Sequence, residues 1–299
     1  MTEHVSTPDG RQLEILVSGP EDGYPFVFHG GTPSAAVRLP SLDRLLGDAA
    51  LRMVTWSRPG YGSSTPRAEP DRPGRIADDV VDTATVLDAL GLDDFVTLGW
   101  SGGGPRALGC AALLPERCRA AVSLAGVAPY GPPDLDFVAG MGPENVRDFE
   151  AAVVGRSALE PLIEAEIDEL KDVTGADIVA AFGGLVDGVD AAALTGEFGD
   201  FIATSFRRAC EQGVIGLLDD NLMIVAPWGF DVDAIRVPVS VWQGRQDKMV
   251  PFAHGRWLAD HIPGARRHLF EDEGHISLVS RMDEMLEELR DLAGLGAPH

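Results

Sequence analysis

The chain has 299 residues, 45% of them hydrophobic, which suits one large α/β domain, or such a domain with an inserted segment, of ordinary globular composition. Its 24 basic and 47 acidic residues give a formal net charge of −23, and a surface of this sign repels nucleic acid and anionic membranes, so we expect neither as a partner. No apolar run is long enough to cross a bilayer and the first residues lack the features of a secretory signal, so we expect a cytoplasmic protein.

The first third of the chain alternates short apolar strands with helical patterns. Residues 76–90 repeat apolar side chains at helical spacing and stop at Gly91, a typical helix end. Further predicted elements are strands at 11–17, 26–28, 53–56, 95–98 and 120–124 and a helix at 103–114. This alternation predicts a mostly parallel sheet with helices on both faces.

The middle of the chain, residues 131–233, has a different pattern, because strand signals vanish and amphipathic helices follow one another. Ser157 and Glu160 have the spacing of a capping box at the start of one of these helices. Strand and helix patterns resume afterwards, with strands at 237–242 and 267–270 and helices at 252–261 and 277–292. We therefore expect residues 1–130 and 234–299 to form one α/β core, and residues 131–233 to form an inserted helical lid.

Three cysteines, Cys110, Cys118 and Cys210, are few, odd in number and without metal-ligand spacing. This pattern favours buried free thiols in a reducing compartment. No cluster of ligand residues suggests a metal or an organic cofactor, and we expect neither.

Gly99, Ser101 and Gly103 form a Gly-x-Ser-x-Gly pattern between a predicted strand and a predicted helix. A nucleophilic serine at such a turn has a strained backbone and lies exposed above the sheet, where larger side chains two positions before and after it would clash. The start of the helix also directs N–H groups toward a forming oxyanion. The pattern alone would equally suit a glycine-rich turn, and the strand and helix around it favour the nucleophile.

A serine hydroxyl needs a base, and the chain contains seven histidines. His275 is the best candidate, because a short loop after the predicted strand 267–270 brings it to the end of that strand. The others suit terminal or structural positions: His4, His29, His254, His261, His268 and His299.

The third member of a triad is a carboxylate that holds the histidine in the right tautomer. Asp247 lies in the loop after the predicted strand 237–242 and gives the chain order Ser101, Asp247, His275. Asp134 and Asp136 follow the preceding predicted strand and remain rival acids.

A second glycine-rich turn, His29-Gly30-Gly31, follows the predicted strand 26–28. A loop beginning there can present the backbone N–H of Gly31 opposite that of Gly102, and the two would form an oxyanion hole. The alternative is a tight glycine turn with a hydrogen-bonded His29.

These motifs resemble, in order, the landmarks of the lid-bearing α/β-hydrolase superfamily along nearly the whole chain. The landmarks are His29-Gly30-Gly31, Ser57-Arg58-Pro59-Gly60-Tyr61-Gly62-Ser63, Gly99-Trp100-Ser101-Gly102-Gly103, Gly244-Arg245-Gln246-Asp247-Lys248-Met249-Val250-Pro251 and Gly274-His275. The resemblance implies an α/β-hydrolase fold with an eight-stranded, mostly parallel sheet and a helical lid inserted after the sixth strand. Because haloalkane dehalogenases and epoxide hydrolases of this superfamily have aspartate at the position of Ser101, neither activity is expected.

The chemistry that follows is acyl transfer through Ser101. We expect a carboxylesterase-like serine hydrolase acting on a small carboxylic ester with a mainly apolar acyl group. Trp100 is expected to contact the substrate, and other aromatic candidates for the acyl pocket are Phe182, Phe198, Phe206 and Trp228. The expected partner is a small molecule, and homo-oligomerisation is left open.

Other activities of the same superfamily remain open. The lid segment has 21 acidic and five basic residues, and although these acids suit solvated helix faces, one or two facing the pocket would bind a cationic group, as in proline iminopeptidases. The chain departs from those enzymes with Thr32-Pro33 after Gly31 and with Gly102-Gly103-Gly104 at the nucleophile. Carbon–carbon hydrolases and lyases share the triad, while an intact triad disfavours a receptor without activity.

Overall fold

The computed structural model of the protein describes residues 3–68, 74–186 and 188–296, and an eight-stranded sheet forms its centre. The strands are β1 (Glu3–Ser6), β2 (Gln12–Ser18), β3 (Tyr24–His29), β4 (Leu51–Trp56), β5 (Phe95–Trp100), β6 (Cys118–Leu124), β7 (Val239–Gly244) and β8 (Arg266–Phe270). They lie in the order β1-β2-β4-β3-β5-β6-β7-β8. β2 is antiparallel to β1 and β4, and all other neighbours are parallel, which confirms the predicted sheet.

Helices cover both faces of this sheet, as predicted. Successive residues of a strand point to opposite faces, and on β3 Val27 packs into one apolar cluster while Phe26 packs into the other. The first cluster includes the helices α2 (Ile76–Ala89), α3 (Gly104–Leu113) and α10 (Phe252–His261), and the second includes α1 (Pro40–Asp48) and α11 (Met282–Leu292).

The chain between β6 and β7 is helical, in agreement with the pattern of residues 131–233, and its described residues contain no strand. Its helices are α4 (Pro143–Val154), α5 (Arg156–Leu170), α6 (Ile178–Ala181), α7 (Gly188–Ala193), α8 (Gly196–Ala209) and α9 (Ile215–Val225). We call residues 131–233 the inserted segment. Its buried side chains belong to the same apolar cluster as α2 and α3, so the segment packs directly on the core. No described helix combines the length and the apolar character needed to span a membrane.

The prediction for the start of α5 was wrong. The helix begins at Arg156, directly after Gly155, which has a φ of +122°. Ser157 therefore lies inside the first turn, and no side chain caps the helix, so the predicted capping box of Ser157 and Glu160 does not form. Gly155, with its positive φ, is both the last residue of the α4 cap and the residue before α5. The helix therefore starts before Ser157, and Ser157 cannot be its N-cap.

Three other local features differ from the sequence predictions. The helix predicted at 277–292 is a 3₁₀ turn (Ser277–Arg281) followed by α11. β1 has a single buried residue, Val5, and was not predicted. α1 was not predicted either, since only Leu42 and Leu46 are buried in it.

The parallel strands end at one edge of the sheet, where the loops that follow them meet. The predicted site residues follow β3, β5, β7 and β8 at this edge. The fold thus brings distant sequence motifs into one place.

Candidate active site

Ser101 lies directly after β5, at the start of a 3₁₀ turn (Ser101–Gly103) that leads into α3. Its φ is +57°, in the left-handed region that serine rarely adopts. A Cβ atom at Gly99 would lie 2.1 Å from the carbonyl oxygen of Gly103, and one at Gly103 would lie 2.1 Å from that of His29. The predicted strained turn, with glycines required on both sides of the serine, is confirmed.

His275 and Asp247 are joined by a hydrogen bond of 2.8 Å between Nδ1 and Oδ2. The imidazole is 1% exposed and the aspartate 4%. The backbone N–H groups of Met249 and Val250 donate to Asp247 Oδ1, at 2.8 and 2.7 Å, and Gln243 Nε2 donates to Oδ2 at 2.9 Å. These donors fix the carboxylate, which in turn holds the proton of His275 on Nδ1 and leaves Nε2 free to act as a base.

The pKa of His275 is raised above its ordinary value. Burial of the ring opposes protonation, but the negative charge of Asp247, its hydrogen bond to Nδ1 and the charge of Asp190 outweigh that effect. An imidazole with a raised pKa holds an abstracted proton more firmly, which suits a general base acting on Ser101.

The rival acids Asp134 and Asp136 are exposed and do not contact His275. Asp134 accepts a hydrogen bond of 3.0 Å from Trp257 Nε1 and lies 3.2 Å from His261 Nε2. Both acids therefore lie outside the site, and Asp247 is the carboxylate that the fold brings to the histidine.

The other histidines have structural partners. His254 accepts a hydrogen bond from the N–H of Ala128 at Nδ1 and donates from Nε2 to Phe137 O, and burial lowers its pKa to about 4. His29 lies 3.6 Å from Cys110 Sγ, and its pKa falls to about 3 because of burial and two nearby arginines. The remaining ones contact polar groups: His4 with Ser63, His261 with Trp257 and His268 with Glu288, while His299 lies outside the described residues.

The glycine loop after β3 lies against Ser101. A Cβ atom at Gly31 would come within 3.3 Å of Ser101 Cβ and 3.8 Å of its Oγ. Arg58 donates to the carbonyl oxygens of Gly30 and Gly31, at 2.8 and 2.6 Å. The Gly30 carbonyl and the Gly31 N–H belong to one trans peptide and point in opposite directions. Because the carbonyl points toward Arg58, the Gly31 N–H points away from Arg58. The geometry suits the predicted pairing of Gly31 with Gly102.

A buried ion network ties the inserted segment to both glycine turns. Asp220, on α9, accepts hydrogen bonds from Arg58 at 2.5 Å and from Arg106 at 2.7 Å. The hydroxyl groups of Thr32 and Tyr61 also donate to it, at 2.8 and 3.1 Å. Burial alone would raise the pKa of Asp220, but the two arginines outweigh burial and lower it to about 2.

Arg106 extends this network into the core. It donates to Asp79 at 2.8 Å and to the carbonyl oxygen of Gly102 at 2.5 Å. Arg67 binds the other carboxylate oxygen of Asp79, Oδ1. Two buried arginines, Arg58 and Arg106, therefore bind backbone carbonyl groups of the glycine loop after β3 and of the turn at Ser101.

Ser101 and His275 line a common cavity of about 70 Å³. The walls include Gly31 and Thr32 from the glycine loop after β3 and, from the inserted segment, the aromatic side chains Phe182, Phe201 and Phe206. None of the described residues that line it is an Asp, Glu, Lys or Arg. The segment thus contributes walls to a chamber that contains Ser101 and has no Asp, Glu, Lys or Arg among its described lining residues.

A second cavity, of about 410 Å³, lies beside the first and shares Trp100 with it. Trp100 donates from Nε1 to His275 O at 3.3 Å, and its ring lies 6.4 Å from that of Phe198 between centroids. The described lining again contains no charged side chain. Trp100, Phe182, Phe198 and Phe206 line these two cavities. Trp228 lines neither of them: it is buried elsewhere and donates to Ile224 O.

The cysteines do not compete with Ser101 as nucleophiles. All three are buried and unpaired, and burial raises the pKa of Cys110 and of Cys210 to about 12. Among the residues that the structure describes, no three His, Cys, Asp or Glu side chains are grouped so as to hold a metal ion.

Sequence reasoning missed several polar residues that hold the site together. Gln243 and Arg58 lie within or next to recognised motifs, so their position along the chain contained a signal. Asp190 and Asp220 lie in the inserted segment and reach the site only through the fold. Local sequence patterns give no sign of such contacts.

Comparisons with known proteins agree with the observed fold. A family model described as alpha/beta hydrolase fold matches residues 24–281. A pimeloyl-[acyl-carrier protein] methyl ester esterase of Aromatoleum aromaticum is 31% identical over 72 residues, which are 24% of this chain and 29% of that relative, so the chain spans under a third of its length. A 2-hydroxy-6-oxononadienedioate/2-hydroxy-6-oxononatrienedioate hydrolase of Klebsiella pneumoniae is 24% identical over 277 residues, 89% of this chain and 86% of the relative.

The solved structures give the same fold. An alpha/beta hydrolase fold protein from Nakamurella multipartita superposes with a TM-score of 0.68 at 24% identity and covers 98% of this chain and 100% of its own. The family match extends over most of the chain and includes β3 to β8 and the inserted segment. This chain belongs to the alpha/beta hydrolase fold family.

Proposed function

We propose that this hydrolase cleaves a small carboxylic ester with an apolar acyl group, with Ser101 as nucleophile, His275 as general base and Asp247 as the group that orients it. The observation that carries the proposal is one uncharged chamber lined by Ser101, His275 and Gly31, with Asp247 hydrogen-bonded behind the histidine. An ester carbonyl needs a nucleophile, a base and an oxyanion site, and all three would face this chamber.

The proposed reaction has two steps. His275 Nε2 takes the proton of Ser101 Oγ as the oxygen attacks the ester carbonyl, and the N–H groups of Gly31 and Gly102 stabilise the negative oxygen that forms. The same histidine then protonates the leaving alcohol. Water, deprotonated by His275, attacks the acyl-enzyme, and His275 returns that proton to Ser101 Oγ as the ester bond to Ser101 breaks and the acid is released.

The apolar walls favour an ester over an N-terminal amino group. A substrate amine needs a carboxylate facing the chamber, and none of the described lining residues supplies one. The buried carboxylates of the segment that lie near the core are already engaged: Asp219 by Arg156, Asp220 by Arg58 and Arg106, and Asp190 by backbone N–H groups. This charge distribution supports an esterase more than an iminopeptidase.

A carbon–carbon hydrolase is the second candidate, because the Klebsiella pneumoniae relative aligns over nearly the whole chain. The name of that relative denotes a dioate, and a second carboxylate on a substrate is normally held by a basic group. The described lining of both cavities has no Lys or Arg, which favours the ester.

The test is a paired rate measurement with p-nitrophenyl butyrate and proline p-nitroanilide, using the wild type and Ser101→Ala. We expect ester cleavage that depends on Ser101, with no anilide turnover. Removal of the nucleophile should cost about a million-fold in kcat. Efficient anilide turnover would overturn the proposal in favour of an aminopeptidase, and Ser101-independent ester cleavage would overturn the assigned nucleophile. If neither substrate turned over, carbon–carbon cleavage and lyase activity would replace the ester proposal.

A further inference from the structure

A carboxylate of the inserted segment binds the loop that holds His275. Asp190 lies on α7 and is 2% exposed. Its Oδ2 accepts a hydrogen bond of 2.8 Å from the N–H of His275, and its Oδ1 accepts two of 2.9 Å from the N–H groups of Ile276 and Ser277. Three successive backbone donors at the start of the 3₁₀ turn Ser277–Arg281 thus converge on one side chain.

The approach of Asp190 to this loop depends on Gly274. A Cβ atom at Gly274 would lie 2.3 Å from Asp190 Oδ1 and 2.5 Å from Oδ2, and any side chain there would push the carboxylate away. The N–H of Gly274 donates to Ser277 Oγ at 2.8 Å, and Ser277 Oγ donates to Glu273 Oε2 at 2.7 Å. The loop is therefore closed on itself and docked to α7 as a unit.

Asp190 differs from the neighbouring buried carboxylates in how its charge is balanced. Asp219 is paired with Arg156, and Asp220 with Arg58 and Arg106. Asp190 has no ion pair with a described residue, and backbone N–H groups are its donors. Among the described residues its negative charge thus lies close to His275 without an ion-pair partner, and in a buried site such a charge acts strongly on its neighbours.

We infer that Asp190 is a positioning residue for the general base: it anchors the His275 loop to the inserted segment, so that His275 stays aligned with Asp247 only while α7 is docked on the core. The inference rests on the proposed function, because it assigns Asp190 to the base of that reaction. A displacement of α7 would remove the acceptor of three backbone donors beside the catalytic imidazole and would shift the imidazole from its partner.

In the part of the chain that the structure describes, the charged groups that act on His275 come from the loop after β7, from α7 and from the loop after β8. Asp247, from the loop after β7, binds Nδ1 directly, and Asp190, from α7, acts through the backbone and through its charge. Glu273, two residues before His275, forms an ion pair with Arg281 at 3.0 Å and is largely neutralised by it. Removing the charge of Asp190 should therefore lower the pKa of His275, while the ion pair of Asp247 with the ring persists.

The experiment compares Asp190→Ala and Asp190→Asn with wild type. The control is Glu164→Gln, which removes one carboxylate from an exposed position on α5.

We expect Asp190→Ala to lower kcat for p-nitrophenyl butyrate by about tenfold to a hundredfold. KM should change by less than about twofold, because a misplaced base slows the chemical step and leaves substrate binding unchanged. In Asp190→Asn, which keeps one oxygen acceptor, we expect a smaller loss of kcat. In both variants the acid limb of the kcat/KM profile should move to lower pH.

A readout without substrate separates this inference from the proposed function. The proton resonances of the His275 ring, followed by NMR against pH in the wild type and in Asp190→Asn, should give a lower pKa in the variant whatever the enzyme hydrolyses. Glu164→Gln should leave both the titration and kcat at the wild-type values. An unchanged His275 titration in folded Asp190→Asn, or a fall in kcat that follows only a fall in Tm, would overturn the inference. A shifted titration without any ester turnover would uphold the contact and refute the esterase proposal alone.

Discussion

The α/β core and the inserted segment contribute different parts of the site. The core supplies the groups proposed to react, Ser101, His275 and Asp247, from loops at the ends of three strands. The segment supplies aromatic walls of the chamber and two carboxylates, of which Asp190 binds the His275 loop and Asp220 binds Arg58 and Thr32 at the glycine loop after β3. The segment is thus a part of the framework of the site, and not only a cover over it.

The two regions also differ in charge. The segment carries a net charge of −16 of the total −23. Several of its acids lie on exposed helix faces, among them Glu164, Asp168 and Glu169 on α5, as solvated acids should. The few buried ones are used structurally, so the negative composition of the segment says little about the charge of the substrate.

After the loss expected for Ser101→Ala, the largest expected effect tests the core side of this comparison. Asp247→Asn should reduce kcat by about ten-thousand-fold, because an amide cannot hold His275 in the tautomer that leaves Nε2 free as a base. The rate of p-nitrophenyl butyrate hydrolysis measures this loss, with Asp134→Asn as a control that should leave it unchanged. A loss below about tenfold would remove Asp247 from the triad.

The next effect tests the segment side. Asp220→Ala leaves Arg58 and Arg106 buried without their shared counter-ion, and we expect a loss of about 3–5 kcal/mol in the free energy of unfolding. Urea denaturation followed by tryptophan fluorescence measures it. Asp168→Ala removes the carboxylate of an exposed pair with Lys171, and because water screens such a pair it should leave the free energy of unfolding nearly unchanged. Equal stability of the two variants would contradict the structural role given to the network.

A third prediction concerns the second cavity, which residues of both the core and the inserted segment line. Ala193→Phe would fill part of the larger cavity, so the rate for p-nitrophenyl octanoate should fall about tenfold relative to that for the butyrate. The ratio of kcat/KM for the two esters measures the effect. Ala165→Phe, at an exposed position on α5, is the control. An unchanged ratio would mean that the acyl chain does not enter this cavity.

The smallest effect is the pH dependence of the wild type. His275 acts as a base only when neutral, so kcat/KM falls as the pH drops through its pKa. Because the charges of Asp247 and Asp190 raise this pKa above the ordinary value of 6.5, the acid limb should be centred above pH 6.5. A profile of kcat/KM from pH 5 to 9 tests this, with a change of at most about tenfold per pH unit. A limb centred below pH 6.5 would contradict the assigned electrostatics.

Much of the core could be predicted from the sequence, because its signals are local. The apolar spacing of α2, the strand–turn–helix at Ser101 and the position of His275 after β8 each lie within a short stretch of chain. α10 (Phe252–His261) has the predicted bounds, and the chain order of the three catalytic candidates matches the geometry.

The segment was harder to predict for a physical reason. Asp190 is 85 residues from His275 in the chain, and Asp220 is 162 from Arg58, so no periodicity or motif connects them. Such contacts depend on how helices without strong caps pack against the core, and α6 and α7 are too short to leave a pattern. Even Trp228, an aromatic side chain near the end of the segment, gives no local sign that it faces away from the chamber.

The buried network of Asp220 also limits how this chain can diverge by recombination. A chimera with residues 131–233 exchanged for the corresponding segment of a relative would place a foreign α9 over Arg58 and Arg106. Unless that helix supplied a carboxylate at the same place, the two arginines would be buried with one acidic partner fewer, and the loops on both sides of Ser101 would lose their support. Substrate range in this chain should therefore evolve by point changes in the cavity walls more readily than by replacement of the whole segment.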